Sequence, residues 1–279
     1  MNIGILHPGE MGISVAASTL NAGHEVYWVS AGRSADTRRR AESFNLQDCS
    51  SLEALSSTCD IIFSVCPPHA AEALAAAVMH SGFRGIYADF NAVSPQTLMR
   101  IAGNMTAAGI RFVDGGIIGL PAWQAGTTWL YLAGTAASEV AACFSQGPME
   151  TDILGAEVGK ASALKMCFAA NNKGTVALLA TILGAAEQLG VRDALEKQWE
   201  RHNPGFSLQT QKRIQGIARK AWRFKPEMLE IASTLDAVGM PTGIHLGAAE
   251  IYQRLADFKT MEEPDFDAIL TALSVRQKD

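Results

Sequence analysis

Seven short apolar runs, at residues 2–6, 25–30, 60–65, 85–89, 110–114, 128–133 and 151–154, alternate with helical or small-residue stretches such as 11–22 and 70–80. Runs of four to six without in-out alternation suit strands buried on both faces, and their alternation with helices predicts βαβ units around a parallel sheet. After Gly155 the pattern changes, and residues 160–189, 192–202, 206–222, 226–238, 244–258 and 264–275 all read at helical spacing. Breakers at Gly190, Asn203-Pro204-Gly205 and Gly239-Met240-Pro241 punctuate them. The expected fold is α/β plus all-α, with a parallel-sheet domain over 1–157 and an all-helical domain over 158–279.

Charge marks the same boundary: residues 1–159 hold no lysine, seven arginines and 14 acids, whereas residues 160–279 hold 16 basic and 14 acidic groups. A net charge of −5 argues against a chain that holds nucleic acid by bulk charge, which needs a concentrated positive field. Cysteines at 49, 59, 66, 143 and 167 form no CxxC pair, and His, Cys and carboxylates are not clustered at ligand spacing, so neither a disulfide framework nor a metal site is expected. The start MNIGILHPGE lacks the basic flank of a signal peptide, and the charge-free stretch 174–186 is shorter than the ~20 residues of a spanning helix. A cytoplasmic protein without membrane or nucleic-acid partners is expected.

The first strand leads into His7-Pro8-Gly9-Glu10-Met11-Gly12 and then a helix. Gly9 lets backbone approach a pyrophosphate, Gly12 lets helix pack on strand, and the N–H groups of the helix start receive the anion. These are features of a Rossmann-type dinucleotide turn, although His7 stands at the first glycine of GxGxxG, and an ordinary strand-to-helix turn is the alternative. Where a ribose-binding acid usually ends the second strand, this chain has Ser30-Ala31-Gly32-Arg33-Ser34. An arginine with hydroxyl neighbours suits a 2′-phosphate, which favours NADP(H) over NAD(H).

Gly4-Ile5-Leu6-His7-Pro8-Gly9-Glu10-Met11-Gly12, Asn21-Ala22-Gly23-His24, Cys66-Pro67-Pro68 and Asp114-Gly115-Gly116-Ile117-Ile118-Gly119 together resemble the β-hydroxyacid dehydrogenases, which include 3-hydroxyisobutyrate and 6-phosphogluconate dehydrogenases. The tail, with Arg201-His202-Asn203-Pro204-Gly205-Phe206 and Ala221-Trp222-Arg223-Phe224, is similar to a little-characterised phosphogluconate-dehydrogenase-like subgroup. The resemblance implies that Cys66, Pro67 and Pro68 pass beside the cofactor and that Asn91, in Asp89-Phe90-Asn91-Ala92, lies at the nicotinamide and substrate. An Asx-type turn before Ser94-Pro95 is the other reading of Asn91.

The resemblance also assigns Lys165 as the general acid/base that exchanges a proton with the substrate oxygen while hydride moves. Its neighbours Leu164, Met166 and Phe168 are apolar, which suits a partly desolvated amine; a lysine that merely extends its ammonium to water is the structural alternative. Helical spacing places Asn172 and Lys173 on roughly the same face, as candidate substrate ligands. Two departures weaken the transfer of a substrate. Ala169 stands where relatives carry asparagine, and Ile118-Gly119 stands where they carry a serine in the substrate pocket. Asn172 is the candidate replacement.

Lys212, Arg213, Arg219, Lys220, Arg223 and Lys225 lie in a stretch without acids and read either as a substrate anion site or as a solvated face above buried Trp222 and Phe224. Apolar stripes such as Ile244, Ala248, Ile251, Tyr252 and Leu255 need covering, which predicts a homodimer through the helical domain. The expected protein is an NAD(P)-dependent oxidoreductase acting on CH–OH of a small hydroxy or keto acid. The alternatives are an imine reductase on the same architecture and a non-catalytic nicotinamide-binding sensor.

Overall fold

Ile3, Ile5, Ile61, Phe63, Ile86 and Ala88 are all fully buried, as apolar runs without alternation require. The structure, a computed structural model, describes residues 1–274. The chain divides into two units, Met1–Met166 and Cys167–Asp279.

In the first unit the order is β1 (Asn2–Ile5), α1 (Glu10–Asn21), β2 (Glu25–Trp28), α2 (Ala35–Ser43), β3 (Gln47–Asp48), α3 (Leu52–Thr58), β4 (Ile61–Ser64), α4 (Ala71–His80), β5 (Ile86–Asp89), α5 (Pro95–Ala107), β6 (Arg111–Gly119), β7 (Thr128–Ala133), α6 (Ala137–Ala142) and β8 (Glu150–Ile153). One sheet orders them β3-β2-β1-β4-β5-β6-β7-β8, parallel except where β6 meets β7. The order reverses direction between β1 and β4, and at such a point an open α/β sheet leaves a crevice beyond its strand ends. One face packs Ile13 and Val15 of α1, Ala41 of α2 and Val140 of α6 onto Phe63 and Phe90. The other packs Leu55 of α3, Val78 of α4 and Leu98 and Met105 of α5 onto Ile62, Tyr87 and Phe112.

Two features differ from the expected strands. Strand β3 has only two residues, too short to leave an apolar signature. Strand β6 does not end at Asp114 but runs to Gly119, because Gly115–Gly119 pair antiparallel with β7. The motif Asp114–Gly119 is therefore the outer half of a strand.

Helix α7 (Lys160–Ala169) begins in the first unit and is continued in the second by a π-helical turn (Ala170–Gly174) and α8 (Thr175–Gln188). The second unit then carries α9 (Arg192–His202), α10 (Phe206–Ala218), α11 (Phe224–Asp236), α12 (Gly243–Arg254) and α13 (Phe266–Ser274). The segment Lys160–Gln188 is, by length and composition alone, long and apolar enough to cross a membrane, and 44% of its most apolar window is buried. The charge-free stretch read from the sequence is shorter because Lys173 interrupts a helix that continues on both sides of it. The fold is α/β plus all-α, as the sequence predicts; Val275, the expected end of the last helix, lies outside the described residues.

Candidate active site

At the end of β1 the chain turns tightly, with the Gly9 N–H donating to the His7 carbonyl oxygen at 2.8 Å, and α1 starts at once. A Cβ at Gly12 would lie 1.9 Å from that same carbonyl oxygen, so only glycine lets the helix leave the strand here. A Cβ at Gly9 would meet nothing within 4 Å, which leaves room for a ligand. Serines cap α2, α3 and α5 through Ser34, Ser51 and Ser94, whereas α1 has no side-chain cap. Its first N–H groups suit an anion such as a pyrophosphate. Pro8 is buried, Met11 half-buried and Glu10 exposed around this turn.

After β2 a turn closed by the Arg33 N–H on the Ser30 carbonyl, 3.1 Å, folds Arg33 back so that its Nη2 donates to the Leu6 carbonyl at 3.0 Å. The guanidinium thus spans the ends of β2 and β1, where a dinucleotide ribose crosses. Ser34 is committed to capping α2 by accepting from the Thr37 N–H. The Ser30 N–H donates to Asp48 Oδ1 at 2.9 Å. Asp48, at the end of β3, is an acid beside the β2 tip that the sequence reading missed. Its strand is too short to signal, and it lies 18 residues along the chain from Ser30.

Asn91 is buried at the end of β5, with its side chain turned inward. Its Oδ1 accepts from the Cys66 N–H, its Nδ2 donates to Ser64 Oγ at 2.9 Å, and its own N–H donates to Asp89 Oδ1. The amide thus ties the loop Cys66-Pro67-Pro68 to β5. Asp89 is fully buried, and burial, aided by Asp114 opposite it on β6, raises its carboxyl to about 7 although Asn91 opposes the shift. Burial likewise pushes the Cys66 thiol up to about 12, with Asp89 adding to it.

Asp114 does what no sequence signal announced. Its carboxylate accepts from the N–H groups of Gly159 at 2.8 Å, Ala161 at 2.9 Å and Ser162 at 3.1 Å and from Ser162 Oγ at 2.7 Å. It caps α7 from the sheet; burial raises its carboxyl above the ordinary carboxylate range, and these donors oppose that shift. The two glycines that follow face opposite ways. A Cβ at Gly115 would strike the Phe90 ring at 2.2 Å, and one at Gly116 would lie 2.7 Å from the Ala161 carbonyl oxygen and 3.2 Å from Lys165 Cβ. Glycine at 116 lets α7 lie directly on β6, and the half-buried Lys165 donates through Nζ to the Ile117 carbonyl. Because β6 runs parallel to β5 with Asp114 opposite Asp89, Ile117 stands past the carboxyl end of β5. The ammonium is thereby held at the edge of the sheet where ligands collect. Ile118 is buried beside this point, and Gly119 is exposed at a φ of 133°.

In the second unit Asn172 is exposed on the π-helical turn. That turn breaks the α-helical count from Lys165, so spacing alone does not put Asn172 on its face. Lys173 is ion-paired with Glu227, lies 4.7 Å from the Phe224 ring centre, and its carbonyl accepts from Tyr252 Oη at 2.7 Å. Within the basic stretch Phe224 is buried, but Trp222 is 47% exposed and stacks under Lys259 Nζ rather than entering the core. His245 is buried, with Nε2 3.4 Å from the Ala170 carbonyl oxygen. Among the described residues no group of three His, Cys, Asp or Glu is placed to hold a metal ion.

Residues 2–144 match the family described as the NAD binding domain of 6-phosphogluconate dehydrogenase, and residues 186–255 match a domain of unknown function, DUF1932. An uncharacterised 28.5 kDa protein of Methanothermus fervidus is 29% identical over 196 residues, covering 70% of this chain and 74% of its own. The solved structure of MTH1747, a conserved protein of unknown function described as similar to 3-hydroxyacid dehydrogenases, is 27% identical, with a TM-score of 0.70 over 93% of this chain and 98% of its own. The 3-hydroxyisobutyrate dehydrogenase of Mycobacterium tuberculosis, solved with L-serine, shares the fold at 17% identity, with a TM-score of 0.72 over 98% and 99% of the two chains. The chain belongs to the β-hydroxyacid dehydrogenase-like family of NAD(P)-binding oxidoreductases and carries that family's NAD-binding domain.

Proposed function

We propose that the protein is an NADPH-favouring oxidoreductase that interconverts the CH–OH and C=O forms of a small hydroxy or keto acid, with Lys165 as general acid/base. The observation that carries this reading is the Lys165 ammonium, held on the Ile117 carbonyl at the carboxyl edge of the sheet instead of extended into solvent. The uncapped start of α1 and the open space at Gly9 fit a pyrophosphate, and Arg33 fits a 2′-phosphate. When bound, nicotinamide supplies or accepts the hydride.

The chain's own part begins with proton handling. Lys165 gives a proton to the substrate oxygen in the reducing direction and takes it back in the other. The Ile117 carbonyl orients the ammonium, and Asp114 fixes the first turn of the helix that carries it. Asn91 holds the Cys66-Pro67-Pro68 loop in place, and we assign it to that task ahead of direct substrate contact. With Ile118 buried beside the lysine, the substrate site is more apolar than a serine there would make it. The proposal includes a homodimer through the helical unit, supported by the exposure there of Leu178 (53%) and Ile244 (67%).

A thermal-shift screen of small hydroxy acids, keto acids and imines, run with and without NADPH, tests the reading. Stabilisation by a keto or hydroxy acid only when NADPH is present, followed by turnover of that compound, is the expected result. Turnover of imines alone would move the protein to the imine reductases, and tight NADPH binding with no turnover of any compound would make it a sensor.

A further inference from the structure

His7 occupies the place of the first glycine of the dinucleotide turn, and its side chain is half-buried at the end of β1. The preceding residue, Leu6, offers the carbonyl that Arg33 Nη2 binds, and the Arg33 charge acts on the His7 ring, so the two side chains are neighbours. Both carry a buried nitrogen without a hydrogen-bond partner among the described residues, Nδ1 of His7 and Nε of Arg33. Unsatisfied buried nitrogens are costly, and two neighbouring ones mark a site that a polar ligand completes.

We infer that His7 is a second ligand of the adenosine 2′-phosphate beside Arg33, and that binding of NADPH, but not of NADH, takes up a proton from solvent at this ring. The inference rests on the NADPH reading above. In the free protein the ring is neutral, because burial, with the Arg33 charge adding to it, lowers His7 to about 4. A phosphate dianion reverses the balance of charge: it offsets Arg33 and offers the ring an acceptor, both of which favour imidazolium. The remaining groups around the spot do not replace it. The Cys66 thiol stays protonated, Asp48 and Glu10 are exposed, and Arg38 directs its Nε to the Arg33 carbonyl. The proton balance is simple: neutral imidazole, phosphate dianion and one solvent proton give an imidazolium–phosphate pair, with no bond to carbon or phosphorus made or broken.

Calorimetric titration of the full chain with NADPH and with NADH, at pH 7 and pH 8.5, where the 2′-phosphate is already the dianion, in two buffers of different ionisation enthalpy, reads the proton directly. Expected is proton uptake with NADPH that is larger at pH 7 and absent with NADH. His7→Gln should abolish the uptake and weaken NADPH about tenfold while leaving NADH within about twofold. His7→Gly restores the residue the turn ordinarily takes and so keeps the fold; it should behave as His7→Gln does. A wild-type protein that prefers NADH overturns the cofactor reading and this inference together. Preference for NADPH with unchanged proton uptake and an unchanged NADPH-to-NADH ratio in both variants overturns this inference alone.

Discussion

Lys165 donates its ammonium to the Ile117 carbonyl, three residues past Asp114, whose register partner on β5 is Asp89. The contact exists because α7 lies on β6 without an intervening side chain. Gly116→Ala should therefore push the helix off the strand, since its Cβ falls 2.7 Å from the backbone oxygen of Ala161. We expect a loss of about 1–3 kcal/mol in urea unfolding and a larger proportional loss of kcat than of NADPH affinity. Unchanged stability would mean that helix and strand are not in the contact described.

The Asp114 carboxylate serves three backbone N–H groups and one hydroxyl at the start of α7. Asp114→Ala leaves those donors buried and unmatched, and a loss of about 3 kcal/mol or more is expected, with Ser162→Ala costing only about 1 kcal/mol. Denaturation midpoints of the two variants measure this, and a similar effect from both would contradict the capping role.

Asp89 gives the protein a pH dependence of definite sign. Its carboxyl is raised from 3.8 to about 7 in the folded state, so the folded protein holds this proton after the unfolded chain has lost it. The contribution is fully present below pH 3.8, is lost as pH rises through that window and levels off above about 7. Asp89→Asn, which keeps an oxygen for the Asn91 N–H, should flatten urea stability between pH 5 and pH 7 and be well tolerated at pH 8. Parallel pH profiles for wild type and variant would refute the assignment.

The exposed Leu178 and Ile244 of the helical unit predict self-association. Sedimentation at micromolar concentration should give a species of twice 29.7 kDa, and Leu178→Glu with Ile244→Glu should shift it to the monomer. A wild-type protein that sediments only at 29.7 kDa would remove the dimer from the account.

Much of this architecture is legible in the sequence, because burial on both faces writes itself as unbroken apolar runs and helices write themselves at 3.6-residue spacing. The expected helix at 192–202 is the observed α9, and the run 128–133 is β7. What is not legible depends on partners distant in sequence. The apolar run stops at Asp114, yet the strand continues through Gly115-Gly116, because Leu132 and Tyr131 of β7, 17 and 15 residues away, pair with them. Asp114 reads as one more acid until Ser162, 48 residues later, is placed against it. Asn91 looks like a ligand from its position at a strand end, and only the packing of Ser64 and Cys66 shows its amide engaged inside. The π-helical turn at Ala170–Gly174 leaves no mark in a pattern counted at helical spacing, so spacing alone does not fix the face on which Asn172 stands.

The central claim, proton transfer by Lys165, is tested by measuring turnover of the best substrate from the screen alongside the dissociation constant of NADPH in wild type and Lys165→Met. The account predicts a fall in kcat of about 10²-fold or more with NADPH affinity changed by less than about threefold. A variant that keeps most of its kcat would contradict it.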